Sequence, residues 1–142
     1  MAGPLVVPDA SVILKWVLPA PGEEGRDPSL ALKTAWLNGT IELVVPTLWA
    51  FEAGNVLGLK QPAQAESLLT ALFDLLMPET PPTEYAPAIL RLMRRHGVTF
   101  YDAAYHALAI ARAGTMLTAD QRYVRKTGAA GHVALIDTWT AG

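Results

Sequence analysis

The stretch Leu5-Val6-Val7-Pro8-Asp9-Ala10-Ser11 decides how the rest of the chain is read. A short apolar run stops at a carboxylate, a small residue and a hydroxyl. Val12-Ile13-Leu14-Lys15-Trp16-Val17 then continues as a helix does. The pattern predicts a buried strand feeding a helix, with Asp9 at the strand's carboxyl end. In open α/β sheets that edge is where ligands bind.

Outward from this turn, the same alternation recurs. Ile41-Glu42-Leu43-Val44-Val45 reads as a second strand, stopped by Pro46. Thr47 is placed to cap a helix over 48–60, and Pro62 falls in the first turn of another over 63–76. Leu75-Leu76-Met77 also fits a short strand. Helices are predicted over 29–38, 83–96 and 102–113, ended by Gly39, Gly97 and Gly114. Thr115-Met116-Leu117-Thr118 is a third clear strand, and Val133-Ala134-Leu135-Ile136 a last one. Three prolines and two glycines make 18–28 a loop that starts near Asp9. Strands alternating with helices predict a mostly parallel, helix-covered sheet. At 142 residues one domain over 1–142 is expected, with an ordered core over about 4–137.

Composition narrows the function classes. The chain is 51% hydrophobic and 17% charged, with mean hydropathy +0.26. Such apolarity argues against disorder and for apolar surface covered by a partner or a second copy. The net charge of -2 gives no global basic field, so nucleic-acid binding requires local patches. There is no cysteine, which excludes disulfides, thiolate zinc sites and cysteine nucleophiles. No signal-peptide pattern and no membrane-length apolar run are seen, so a cytoplasmic location with no membrane partner is expected.

Four of the thirteen acids stand apart. Asp9 and Asp120 each end an apolar strand, Asp102 opens the most apolar helix, and Glu52 lies within Leu48-Trp49-Ala50-Phe51-Glu52-Ala53-Gly54-Asn55-Val56-Leu57. Taken singly, Asp9, Ser11 and Asp120 also fit N-caps, and Thr99-x-x-Asp102 resembles a capping box. Glu52 is not explained that way. It shares a helical stripe with Leu48, Asn55 and Leu59, and a carboxylate beside an amide there asks for a partner or a cation. Together the four fit a pocket for Mg²⁺ or Mn²⁺, hard cations that prefer carboxylate oxygens and water.

Val7-Pro8-Asp9-Ala10-Ser11-Val12, Glu52-x-x-Asn55-Val56-Leu57, Tyr101-Asp102-Ala103-Ala104-Tyr105 and Leu117-Thr118-Ala119-Asp120 resemble, in order and spacing, the PIN-domain ribonucleases, most closely the VapC-type toxins of prokaryotic toxin–antitoxin pairs. The resemblance covers nearly the whole chain. It implies an α/β fold, a single PIN-like domain whose parallel four- to five-stranded sheet is flanked by helices in three layers. It implies a Mg²⁺- or Mn²⁺-dependent endoribonuclease, with Asp9, Glu52, Asp102 and Asp120 as catalytic, metal-holding acids. Ser11 would support Asp9, Asn55 would orient Glu52, and Thr118 would support Asp120. A homodimer and a cognate VapB-type antitoxin over the active groove are implied as well. Where some members carry a further acid after the last aspartate, this chain has Gln121-Arg122.

Lys15 and the cluster Arg122, Arg125 and Lys126 are candidates for tracking an RNA backbone, the cluster because it adjoins Asp120. Arg91, Arg94 and Arg95 fit equally the cations that favour helix C-termini. His106, one turn after Asp102, reads mainly as a partly buried helix histidine. Two competing functions are a phosphotransfer or phosphatase protein with Asp9 as nucleophile, and an inactive PIN-like binding module. Against the first, Ser11 stands where a dehalogenase-type phosphatase wants a second aspartate.

Overall fold

The computed structural model describes residues 3–18 and 25–141. Residues 19–24 of the expected loop therefore lie outside the described residues. The chain runs β1 (Leu5–Pro8), α1 (Ala10–Leu14), α2 (Arg26–Leu37), β2 (Glu42–Leu43), β3 (Val45–Pro46), α3 (Trp49–Lys60) and α4 (Ala65–Phe73). It continues with β4 (Glu79–Thr80), α5 (Ala86–His96), α6 (Phe100–Ala111), β5 (Thr115–Thr118), α7 (Gln121–Thr127) and β6 (Val133–Leu135).

Among the described residues every strand pairing is parallel. The main sheet has the order β2-β1-β5-β6, and β3 pairs with β4 in a second, two-stranded sheet. The two sheets are continuous through one segment. Val44 donates its N–H to Val6 O, and the next residue, Val45, donates to Pro78 O. One extended segment over 42–46 thus serves β1 on one side and β4 on the other.

The sheet forms because its strands are apolar on both faces, as a helix-covered parallel sheet requires. Val6, Val7, Leu43, Val45, Met116 and Leu117 are all buried. Helix α6 lies against β1, β3 and β5, and α5 packs on α6. The unbroken burial of Ala103 through Ala109 places α6 centrally; four alanines let it sit close to the strands. Trp49 and Trp16 anchor the helices on the other elements. Trp49 Nε1 donates to Glu79 at 2.7 Å, and Trp16 Nε1 donates to Ser29 O at 2.8 Å.

Several boundaries differ from the sequence reading. Helix α2 starts at Arg26, inside the expected loop, where the Arg26 guanidinium bonds Leu18 O at 2.5 Å. Residues 75–77, which fitted either the end of a helix or a short strand, form neither: α4 ends at Phe73, and the strand forms at Glu79–Thr80, after Pro78, because Val45 and Thr47 present their N–H groups to Pro78 O and Thr80 O. Thr47 does not cap α3: its N–H is used by Thr80 O, and Leu48 stands at the cap. Helix α4 begins at Ala65, leaving Pro62 in the preceding turn.

Candidate active site

Parallel register brings the first and last of the four acids together. Pro8 pairs with Leu117, so the next residue on each strand, Asp9 and Thr118, stand side by side at the carboxyl edge. The Asp9 N–H extends the ladder to Leu117 O at 3.0 Å. Ser11 Oγ donates to Asp9 Oδ1 at 2.5 Å and Thr118 Oγ1 donates to Asp9 Oδ2 at 2.6 Å. Val12 N–H also reaches Oδ1, at 3.3 Å. The same hydroxyls hold the β5 end: Ala119 N–H donates to Ser11 Oγ and Asp120 N–H to Thr118 Oγ1, both at 3.0 Å. Two hydroxyls therefore tie the two strand ends into one unit.

Capping and pocket membership coexist. Asp9 caps α1, Thr99 caps α6 through Asp102 N–H, and Asp120 caps α7 through Tyr123 N–H at 3.0 Å. A carboxylate has about four acceptor positions, so a cap leaves room for other partners.

Glu52 reaches the site from α3. Tyr105, 1% exposed on α6, donates its hydroxyl to Glu52 Oε1 at 2.7 Å. Asn55 was expected to orient Glu52, but it is exposed, and among the described residues it makes no hydrogen bond to Glu52. The stripe Leu48, Glu52, Asn55, Leu59 is the outer edge of α3; the core side carries Trp49, Ala53 and Leu57. Nothing in the local sequence singles out Tyr105, since its partner lies on another helix.

The electrostatics show that the four acids share one region. Burial pushes the Asp9 carboxyl up to about 6 against its four hydrogen bonds. Burial also raises Glu52, with the charges of Asp102 and Asp9 adding to it. Asp102 is raised by burial and by the charge of Asp120. Carboxylates held upward by desolvation and by each other favour a proton or a cation.

The donor set is wholly oxygen, which fits Mg²⁺ or Mn²⁺ and not a soft metal. Among the described residues no three acidic, imidazole or thiol groups draw close enough to enclose an ion by themselves. That looser grouping fits Mg²⁺, which keeps several waters and takes few carboxylates.

Three open clefts meet these acids. One of about 280 Å³ is lined by Thr99, Asp102, Asp120, Arg122, Tyr123 and Lys126. A second, about 330 Å³, includes Ser11, Lys15, Glu52 and Lys60. A third, about 630 Å³, is lined by Leu48, Phe51, Glu52, Asn55 and Tyr101. Arg122 and Lys126 thus stand beside the acids, while Arg125 lies outside that cleft. Lys15 is 8% exposed, so it lines the second cleft as a mostly buried side chain beside Gly25. His106 is fully buried: Nε2 bonds Gly131 O at 2.7 Å and Nδ1 bonds the Tyr123 hydroxyl at 2.9 Å. A carbonyl partner makes Nε2 the protonated nitrogen, and burial lowers the ring's basicity. Both nitrogens are occupied, so His106 is structural.

Residues 6–129 match the family model of the PIN domain. The chain belongs to the PIN-domain family. Its fold is shared by PAE2754 from Pyrobaculum aerophilum, 23% identical, with a TM-score of 0.66 over 97% of this chain and 93% of that one. A toxin–antitoxin complex from Klebsiella pneumoniae is 14% identical, with a TM-score of 0.64 over 92% and 97%. VapC20 of Mycobacterium tuberculosis, a toxin cleaving the sarcin–ricin loop, is 16% identical, with a TM-score of 0.63 over 90% and 96%. A search of the curated proteins found no match. In this PIN domain Asp9 and Asp120 stand at the carboxyl edge of the parallel sheet, Asp102 on α6 packed against that sheet, and Glu52 on α3, which packs on α1 and α4.

Proposed function

We propose that this PIN-domain protein is a divalent-metal-dependent endoribonuclease, the toxin component of a toxin–antitoxin pair. The observation that carries the reading is the convergence of Asp9, Glu52, Asp102 and Asp120, each raising or being raised by another's charge. Asp9, Asp102, Asp120 and Glu52 would hold the ion. When bound, Mg²⁺ or Mn²⁺ lowers the pKa of water and neutralises charge on a phosphoryl group.

The chain's own residues do the rest. Ser11 and Thr118 hold the Asp9 carboxylate against the strand ends, so its orientation needs no reorganisation during the reaction. A pocket carboxylate takes the proton of the attacking water, which displaces a 3′ oxygen in line and leaves a 5′ phosphate. Arg122 and Lys126, beside Asp102 and Asp120, are the cations placed for the RNA backbone.

The partners follow the same reading: an RNA substrate, a cognate VapB-type antitoxin and a second copy of the chain. Support comes from large apolar side chains left on the surface, among them Phe51 at 80% and Leu59 at 76% exposed, both on α3. The toxin–antitoxin assemblies among the structural neighbours point the same way. No described helix is long and apolar enough to cross a membrane, and a cytoplasmic location is part of the proposal.

The test is cleavage of purified structured RNAs with Mg²⁺, Mn²⁺ or EDTA, beside Asp9→Asn. Cleavage that requires the metal and disappears in the variant is expected. Cleavage by Asp9→Asn at the wild-type rate would overturn the site.

A further inference from the structure

We propose that Tyr105 is the positioning residue of this site: its hydroxyl fixes the Glu52 side chain where the carboxylate serves the acidic pocket. The inference rests on the proposed nuclease reading.

Geometry carries it. Glu52 differs from the three aspartates in how it is held. Asp9 and Asp120 are short side chains fastened by caps at their own helix starts, and Asp102 sits in the first turn of α6. Glu52 has one more methylene and lies on α3, which has no side-chain cap and packs against α1 and α4. It borders two of the clefts, the one with Ser11 and Lys15 and the outer one with Phe51 and Asn55. A long carboxylate between two openings has rotamers into both, and the ordering entropy is largest for such side chains. Among the described residues a single hydrogen bond engages it, from Tyr105.

Tyr105 is suited to that task. It lies three residues after Asp102 on α6, on the same side of the helix, so one helix supplies an acid and the clamp for another. Its ring is fixed among the core residues, and from there the hydroxyl donates to Glu52. A buried tyrosine hydroxyl requires a partner, so the bond to Oε1 satisfies both groups. Oε2 is left for the site.

The experiment is a double-mutant cycle with Tyr105→Phe and Glu52→Gln, read as RNA cleavage, Mn²⁺ affinity and melting temperature. Tyr105→Phe is expected to fold, to weaken Mn²⁺ binding and kcat about 10–100-fold, as loss of a group that orients a ligand does, and to leave KM for RNA unchanged. In the Glu52→Gln background Tyr105→Phe should change neither binding nor kcat further, because the carboxylate it acts through is gone. An unchanged Mn²⁺ affinity and kcat in Tyr105→Phe, with an active wild type, overturns the inference alone. An equal loss in both backgrounds overturns it too, since Tyr105 then acts independently of Glu52. A wild type that neither binds Mn²⁺ nor cleaves RNA overturns the nuclease reading and this inference with it.

Discussion

Asp9 shows at the residue scale how a fold holds an unfavourable charge. Four donors, from Ser11, Val12 and Thr118, reach its oxygens, yet burial wins and pushes the carboxyl up to about 6. In the unfolded chain it titrates near 3.8. Between these values the folded protein binds more protons than the unfolded one, so stability contributed by this group falls as pH rises through that window. Asp9→Asn should therefore gain on the wild type by about 2–3 kcal/mol between pH 3.8 and pH 7, less any loss from the acceptor it removes, as measured by urea unfolding without metal. A difference between the two proteins that does not change with pH would show that the Asp9 charge is not strained. Thr118 offers the complementary test. Its hydroxyl is fully buried, donates to Asp9 and accepts from Asp120 N–H. Thr118→Val leaves that N–H without an acceptor, and a loss of about 1–3 kcal/mol is expected in the same assay.

At the scale of elements, close approach of β5 to β1 is what presents the acids together. Gly114 precedes β5, and a Cβ there would stand 2.6 Å from the backbone oxygen of Leu5. Gly114→Ala must push the two strands apart where the parallel ladder begins. A destabilisation of about 1–3 kcal/mol is expected by thermal or urea unfolding, with lowered cleavage because the Asp9–Thr118 contact depends on that register. Arg112 and Glu84 make the contrasting case. Their pairing joins α6 to the turn before α5 at 2.6 Å, but both side chains are over a third exposed. Arg112→Ala should leave stability nearly unchanged in the same unfolding assay, because solvent screens an exposed pair.

For the molecule as a whole, the test is linkage. An ion that binds only the folded protein raises its stability by about 2.7 kcal/mol at one hundred times Kd. Mn²⁺ should raise the melting temperature of the wild type and leave that of Asp9→Asn unchanged, in differential scanning measurements. The exposed apolar side chains of α3 belong to the same scale. If they cover a second copy, Phe51→Glu with Leu59→Glu should reduce the sedimenting mass from dimer to monomer; an unchanged mass would place the interface elsewhere.

The sequence alone determined that strands alternate with helices, that the sheet is parallel, and that four acids fall at strand ends or inside apolar helices. These are local matters: an apolar run ending in a carboxylate is visible without knowing its neighbours, and Gly97, at φ 63, ends α5 where the sequence placed it. Tertiary structure decided the rest. Whether Leu75–Met77 or Glu79–Thr80 became the strand was settled by which backbone groups the segment over 45–47 presented. That Lys15 is buried, that His106 is locked between Tyr123 and Gly131, and that Tyr105 rather than Asn55 holds Glu52 depend on packing between distant elements. Asn55 is the residue helical spacing nominates for Glu52, but spacing gives only neighbours along one helix. The hydroxyl that meets Glu52 comes from 53 residues away, brought there by the packing of a helix against the sheet.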